Sequence, residues 1–374
     1  MPGTIIIAHA VTQTWIIIAV LLVALVLFAK RIEYGDLLPI SATQELKGIA
    51  TFAVVFGHIG YFLVDDNRFL FPLSIGAGVG VNIFLFLSGY GLTLGMMKKP
   101  LAPLPFYRKR ALKIFIPLWP VLIGFFLLDA LVLHRYYPAT YIARSMVGFF
   151  PKADMPSDVN SVLWYITWTL FYYALLPLVF MRQRVWLSAA ILFVLGQGLV
   201  SWNPPAIELV TRLYEVHTVA FPLGMLAAWL LFESREQSNP VVQKLKAWRA
   251  QLAGAKYYSV IAILLALIIY SAYYDSGIGQ STTKEQIMSL VTTLSFILLF
   301  ALKRVEFRAL TLIGVFSYEI YLLHWPLVSR YDVIYSALPA ALATFAYFAL
   351  FMGIGWIIQR ATGPVTAWLD RKSP

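Results

Sequence analysis

The chain has 374 residues, of which 60% are hydrophobic and only 13% are charged. Soluble domains usually carry about 25% charged and 45–50% apolar residues, so the composition excludes an ordinary soluble enzyme. A membrane-spanning helix uses roughly 20 apolar residues, which leaves room for about eleven spans and little else. The net charge of +11 is expected of a membrane protein that keeps Lys and Arg on its cytoplasmic side. It therefore does not indicate a nucleic-acid partner.

We predict an all-α, polytopic integral membrane protein with about eleven transmembrane helices. Each apolar stretch is long enough, or nearly so, to cross roughly 30 Å of hydrocarbon at 1.5 Å per residue. The predicted spans are 5–29, 48–64, 73–97, 112–133, 163–181, 185–201, 215–232, 257–274, 286–302, 309–328 and 337–359.

The connecting segments predict the orientation of the chain. The segment 98–113 holds six basic residues and no acidic residue, which places it in the cytoplasm by the positive-inside rule. Alternation then puts 30–47, 182–184, 233–256, 303–308 and the C-terminal tail inside as well, and the basic residues concentrate there. We expect the N-terminus outside and the C-terminus in the cytoplasm.

Lys47 and His58 stand eleven positions apart around the start of the second predicted span. Eleven helical residues turn through about 1100°, so both side chains share one face, about 16 Å apart along the axis. Lys47 at the inner mouth can hold a phosphate, and a histidine can do acid–base chemistry near neutral pH. The spacing equally allows a lysine that reaches the interface and a histidine bonded to a neighbouring helix.

A second polar stripe lies in the tenth predicted span. Ser317 and Tyr321 precede His324 by seven and three positions, so the three share one helical face. Glu319 is about 140° away and points elsewhere, and Pro326 is expected to end or kink the helix. Either a reactive site or hydrogen bonding between helices explains this stripe.

Two further segments carry candidate residues. Ser88 and Tyr90 supply hydroxyls beside glycines that allow close helix packing. Arg108, Arg110 and Lys113 cluster where the chain re-enters the membrane, and they are suited to phosphates or anionic lipid as well as to fixing the topology.

Aromatic residues crowd the start of the fifth predicted span, with Trp164 and Tyr165 at its outer end. An interfacial aromatic belt explains them, and a platform for stacking sugars is the alternative. The sequence has no GxSxG elbow, no P-loop and no cluster with metal-ligand spacing, so it predicts no metal site.

Five motifs occur in a fixed order along the chain. They are Lys47 with His58; Phe84, Phe86, Ser88, Gly89 and Tyr90; Tyr107, Arg110, Lys113 and Pro117; Leu163, Trp164, Tyr165 and Pro177; and Ser317, Tyr318, Tyr321 and His324. In this order they resemble the membrane acyltransferase-3 family, integral membrane O-acyltransferases that modify cell-surface glycans. The resemblance runs from about Gln44 to Trp356.

The resemblance implies a ten-helix acyltransferase core at 41–360, with an additional N-terminal helix and inner loop at 1–40 and a cytoplasmic tail at 361–374. It implies transfer of an acyl group, usually acetyl, from cytoplasmic acyl-CoA to a hydroxyl of a cell-surface or lipid-linked carbohydrate. The expected location is a bacterial inner membrane, among membrane lipids, and no SGNH-type esterase domain is expected within these residues.

The resemblance also implies roles for residues. Acetyl-CoA or another acyl-CoA, the donor substrate, is expected to place its phosphates against Lys47, Arg108, Arg110 and Lys113. His58 is the expected general base or, alternatively, carries the acyl group. His324 is expected to orient the acceptor or to assist proton transfer. Ser88 or Tyr90 is expected to stabilise the oxyanion, and Trp164, Tyr165, Ser317 and Tyr321 to contact the acceptor.

The chain departs from the family pattern at two positions. Many members carry a carboxylate where this chain has Thr169, and many have Asp where it has Gln44, so roles of those carboxylates do not transfer. A transporter or flippase of a lipid-linked or anionic substrate is the alternative function, because intramembrane polar residues also line translocation paths.

Overall fold

The computed structural model describes residues 5–32, 36–99, 102–232, 239–275 and 282–371, and these are mostly helical with almost no sheet. The helices are α1 (Ala10–Leu27), α2 (Ile40–Gly60), α3 (Ala77–Lys98), α4 (Pro103–Val132), α5 (Ala139–Met146), α6 (Trp164–Val179), α7 (Val185–Trp202), α8 (Thr211–His217), α9 (Ala220–Leu231), α10 (Pro240–Gln251), α11 (Gly254–Asp275), α12 (Thr282–Leu302), α13 (Arg308–Val315), α14 (Ser317–Ser329) and α15 (Ala340–Arg371). Two short strands, β1 (Ala29–Arg31) and β2 (Val305–Phe307), pair antiparallel. Short 3-10 turns cover Leu73–Gly76 and Ser161–Leu163.

The helices confirm a polytopic all-α membrane protein. Within the described residues, nine helical segments are long and apolar enough to cross a membrane, and α13 with α14 makes a tenth if the bent pair counts as one span. Each of the eleven predicted spans overlaps one or two of these helices. Helix α2 is not among the nine or ten, because residues such as Glu45 and Lys47 lower its mean hydropathy.

Several predicted boundaries were wrong. Helix α4 begins at Pro103 rather than at 112, so the basic segment is helical and not a loop. Proline is favoured in the first turn of a helix, and the Arg, Lys, Ala and Leu that follow are good helix formers. Helix α15 likewise continues to Arg371, so most of the predicted tail 361–374 is helix. Lys372 of that tail lies outside the described residues.

The predicted span 309–328 is broken. Helices α13 and α14 meet at an angle of 72° around Phe316. Pro326 does not end the helix, because α14 continues through it to Ser329. The bend leaves α13 against α2 and carries α14 into the centre of the bundle.

Close helix crossings at glycine fix the position of α2. A Cβ built on Gly48 would lie 2.2 Å from the carbonyl oxygen of Leu310, and one built on Gly314 would lie 1.9 Å from that of Gln44. Only glycine allows α2 and α13 to approach this closely. Gly89 makes the same kind of contact with Phe221 on α9, as its helix-packing interpretation predicts.

A buried ion pair holds the beginning of α2. Glu45 accepts hydrogen bonds from Lys303 Nζ at 2.7 and 3.0 Å, and the backbone N–H of Phe307 also donates to it. Neither charged side chain is more than 7% exposed. The pair ties α2 to the segment between α12 and β2, and it sits two residues before Lys47.

Helix α1 is attached at the opposite end of α2. The backbone of Ile5 bonds to Phe62 and Val64, just beyond the end of α2. Gln13 accepts a hydrogen bond from the backbone N–H of Ala341, which ties α1 to α15. The additional helix therefore contacts the segment that immediately follows α2.

Candidate active site

A cavity of about 720 Å³ lies between α2, α3, α4, α6 and α14. This volume is within the range of small-molecule sites, roughly 300–1,000 Å³. Its lining includes Lys47, Val54, His58, Val81, Phe84, Ser88, Gly91, Gly95, Lys99, Phe106, Lys109, Arg110, Lys113, Val162, Trp164, Tyr165, Thr169, Tyr173, Ser317, Tyr318 and Tyr321. Nine of the twelve residues predicted for the site from the sequence belong to this lining.

His58 and His324 face each other at one end of this cavity. His58 Nδ1 lies 2.8 Å from His324 Nε2, and the two rings are nearly parallel with centroids 5.1 Å apart. The Trp325 ring meets His58 edge-on at 5.1 Å. His58 lines the cavity, whereas His324 contacts His58 and lies outside the lining.

The hydrogen bonds of His324 assign the tautomers of both rings. His324 Nδ1 lies 3.0 Å from the carbonyl oxygen of Ile320 and 2.9 Å from that of Tyr321. Carbonyl oxygens only accept, so this nitrogen carries the hydrogen of the neutral ring and Nε2 is bare. His58 Nδ1 must then donate to it, which leaves His58 Nε2 unprotonated. Among the described residues this atom has no hydrogen-bond partner, so it is available to a ligand in the cavity.

The other end of the cavity is strongly basic. We call this the basic end; it is formed by Lys47, Lys99, Lys109, Arg110 and Lys113. Lys47 lies eleven residues before His58 on α2, about 16 Å along the axis. Within the described residues no acidic side chain lines the cavity, and Arg110 Nε is buried without a hydrogen-bond partner. A buried donor of this kind is satisfied by an anionic ligand.

Ser88 lies towards the basic end and not beside His58. Gly57 packs against Ala77, and Gly80 packs against Val54, so α3 runs antiparallel to α2. Ser88 is eleven residues beyond Ala77, about 16 Å further along α3. Its hydroxyl is paired with Tyr173 at 2.7 Å. The predicted contact of Ser88 with an oxyanion near His58 is therefore not supported by this geometry.

Besides His324, two predicted residues lie outside the cavity lining. Tyr90 is 8% exposed, and its ring stacks on Phe86 with centroids 6.4 Å apart in an apolar cluster. Arg108 donates to the carbonyl oxygen of Leu369 near the C-terminal end of α15. A cation at this end of a helix also interacts favourably with the helix dipole. The structure brings neither residue to the site.

The four residues predicted to contact the acceptor all line the cavity. They are Trp164, Tyr165, Ser317 and Tyr321. The Tyr165 ring contacts the Tyr321 ring at 5.7 Å, and the Tyr321 hydroxyl donates to the carbonyl oxygen of Val162 at 2.5 Å. The Trp164 ring stacks on the His217 ring. His217 Nδ1 is hydrogen-bonded to Asn82 Oδ1 at 2.8 Å.

Sequence reasoning missed several lining residues. Tyr173 carries the hydroxyl that pairs with Ser88, and Tyr318 lines the cavity while donating to Ile114 at 2.9 Å. Gly91 and Gly95 present an open helix face with nothing within 4 Å of a built Cβ. Their spacing of four residues on α3, beside Ser88, was the available signal.

The sequence profile of the acyltransferase-3 family, described as an acyltransferase domain, matches residues 46–360. The chain belongs to the acyltransferase-3 family. The matched range contains the cavity with its basic end, and it contains both His58 and His324. Helix α1 lies outside the matched range. The comparison with curated proteins and the comparison with solved structures each gave no match.

Proposed function

We propose that the protein transfers an acyl group, acetyl in the first instance, from cytoplasmic acyl-CoA to a hydroxyl of an extracytoplasmic or lipid-linked carbohydrate. One observation carries the proposal beyond family membership. A single cavity joins a cluster of five cations to a histidine whose Nε2 is bare and unpaired. A donor with an anionic head and a reactive far end matches that arrangement.

The basic end is the proposed site of the CoA phosphates. Arg110 supplies the buried Nε donor, and Lys47 and Lys113 add cations on α2 and α4. Charge-assisted hydrogen bonds to phosphate are among the strongest in proteins. The basic end then faces the cytoplasm of a bacterial inner membrane, which puts the N-terminus outside and the C-terminus inside, in agreement with the positive-inside rule.

The pantetheine arm is proposed to run from the basic end towards His58. Gly91 and Gly95 leave the α3 side of the basic end, where this path begins, without side chains. The distance of about 16 Å between Lys47 and His58 along α2 suits an extended arm. The thioester carbonyl then lies beside His58, where the acceptor hydroxyl also arrives.

His58 Nε2 is the proposed general base. It takes the proton of the acceptor hydroxyl while that oxygen attacks the thioester carbonyl carbon. The tetrahedral intermediate then breaks its carbon–sulfur bond, and the leaving thiolate receives the proton from His58. In the variant mechanism His58 Nε2 itself carries the acyl group between donor and acceptor; both versions require the same bare nitrogen.

His324 is proposed to position His58. By accepting from His58 Nδ1 it holds the ring orientation and keeps the reactive lone pair on Nε2. When His58 gains a proton, the same hydrogen bond stabilises the cation, as the second partner of a catalytic histidine does in other enzymes. The aromatic residues Trp164, Tyr165 and Tyr321 supply faces for the acceptor.

Labelled acetyl-CoA tests the proposed reaction and its acceptor class together. Inverted membrane vesicles from cells that express the protein are incubated with [14C]acetyl-CoA, and vesicles with the His58→Ala variant are the matched control. We expect alkali-labile label in the glycan or lipid-linked sugar fraction with the unmodified protein only. Equal labelling with His58→Ala contradicts the mechanism, and unchanged acetyl-CoA in both contradicts the reaction.

A further inference from the structure

A small recess opens beside the cavity, one helical turn from His58. It is about 10 Å³ in volume and is lined by Thr51, Val54, Val55, Phe84, Ser317 and Tyr321. Four of these residues also line the main cavity, whereas Thr51 and Val55 line the recess alone. The recess is therefore a side pocket between α2, α3 and α14, and Thr51 and Val55 are its lining residues on the side away from the main cavity.

The position of the recess matches the reach of the reacting group. Val54 and Val55 precede His58 by four and three residues, so they lie about one turn, or about 5.4 Å, towards the basic end. An acceptor oxygen within about 3.2 Å of His58 Nε2 attacks a carbonyl carbon about 3–3.5 Å further away. The carbonyl carbon then lies at most about 6–7 Å from Nε2, and the substituent on that carbon is within reach of the recess.

The chemistry of the recess suits hydrocarbon. The Thr51 hydroxyl already donates to the carbonyl oxygen of Lys47 at 2.8 Å, and the Tyr321 hydroxyl donates to Val162. These bonds leave the Thr51 methyl, two valines and two rings to form most of the wall. A volume near 10 Å³ is the minimum for one water, and a water also needs polar partners. A methyl group fits both the size and the polarity.

We infer that this recess is the binding site for the hydrocarbon end of the acyl group, and that Thr51 and Val55 limit the group to two carbons. The inference rests on the proposed transfer from acyl-CoA. A longer acyl chain does not fit a recess of about 10 Å³, and the surrounding helices are closely packed: Val55 is 1% and Thr51 is 3% exposed. One methylene group typically changes specificity by roughly 10–200-fold.

Equilibrium binding tests this inference without an acceptor. The whole chain in lipid nanodiscs is titrated with CoA, acetyl-CoA and butyryl-CoA. We expect the dissociation constant of acetyl-CoA to be lower than that of butyryl-CoA by a factor of about ten or more. The variants Thr51→Ser, which keeps the hydroxyl and removes one methyl, and Val55→Ala each enlarge the recess. Both are expected to bring the two affinities to within about threefold, a loss of most of that preference.

Val81→Ala is the matched control, because Val81 lines the main cavity and not the recess. It is expected to keep the wild-type preference. Equal affinities in the wild type, or a change in Val81→Ala as large as in Thr51→Ser, overturns the assignment of the recess and leaves acyl transfer standing. Failure of the wild type to bind CoA or either thioester overturns the proposed function itself, and the inference with it.

Discussion

His58 Nδ1 donates to His324 Nε2 across 2.8 Å, and His324 is itself fixed by two backbone carbonyl oxygens of its own helix. The bond joins α2 to α14 through two residues that are 266 positions apart in the chain. Because this hydrogen bond places the hydrogen of His58 on Nδ1, it leaves Nε2, on the ring that lines the cavity, without a hydrogen. The proposed chemistry depends on this relationship.

His324 is expected to affect turnover and not donor binding. His324→Leu removes the acceptor for His58 Nδ1, so His58 loses its orientation, and misplacement by about 1 Å costs on the order of 100-fold. His324→Gln keeps an acceptor oxygen and is expected to retain a larger part of kcat. Steady-state kinetics with acetyl-CoA separates the two parameters. A raised KM with unchanged kcat in His324→Leu contradicts a positioning role.

Arg110 and Arg108 are expected to differ in CoA binding, although they are two residues apart. Arg110→Gln removes a cavity donor, and a hydrogen bond to a charged group is worth about 1.5–3 kcal/mol, so CoA affinity falls about tenfold or more. Arg108→Gln removes a contact with Leu369 outside the cavity and leaves the affinity unchanged. Isothermal titration in nanodiscs measures both. An equal loss of CoA affinity in both variants would place Arg108 at the ligand, as the sequence predicts, and would contradict the expectation from the structure.

Gly91 is expected to keep the basic end open, where the path of the pantetheine arm begins. Gly91→Leu places a large side chain in the cavity, because nothing lies within 4 Å of a built Cβ there. We expect loss of CoA binding by about tenfold or more. Gly353→Leu is the control, since Gly353 also has no neighbour within 4 Å but lies on an exposed face of α15. Binding by Gly91→Leu at the wild-type level contradicts the proposed path.

Arg330 is expected to stabilise the end of the bundle nearest His58. Its Nη1 lies 2.6 Å from Asp129, which is fully buried. Tyr137 and Tyr331 also donate to Asp129, each at 2.5 Å. Removing one partner of a buried pair typically costs 3–5 kcal/mol because the other charge is left unpaired. Arg330→Leu therefore lowers the free energy of unfolding by about that amount.

A second variant and an exposed ion pair test the reason for this loss. Adding Asp129→Asn to Arg330→Leu removes the unpaired charge and keeps an acceptor oxygen for one of the two tyrosines. The double variant should therefore recover most of the unfolding temperature that Arg330→Leu loses. Arg68→Leu breaks the exposed pair with Asp66 and should leave that temperature unchanged, because exposed pairs contribute little. Equal losses in Arg330→Leu and the double variant contradict an electrostatic cause.

The helices and much of the site were predictable because both follow local patterns. Apolar stretches of about 20 residues predict spans, and the spacing of Lys47 and His58 predicts a shared face that the cavity confirms. Helix ends were less predictable. The basic residues after Pro103 read as a loop by charge, although their intrinsic helix propensity is high.

Contacts between distant segments were not predictable from these patterns. The positions of His58 and His324 in the sequence do not indicate that their rings are in contact. They also do not predict the bend at Phe316, which brings α14 to α2. The height of Ser88 relative to His58 depends on how α3 packs against α2, which the contacts of Gly57 and Gly80 set. Ser88 carries a hydroxyl of the expected type, but that hydroxyl lies at the wrong end of the cavity for an oxyanion contact.

Release of CoA thiol is the most direct test of the central claim, that His58 acts on a thioester bound from the basic end. Purified wild type and His58→Ala in nanodiscs are given acetyl-CoA, and water replaces the acceptor hydroxyl. The chain has no cysteine, so every new thiol is CoA. We predict slow release by the wild type, at least 100-fold slower release by His58→Ala, and equal CoA binding by both. Equal release by both proteins, or no binding of CoA by either, contradicts the account.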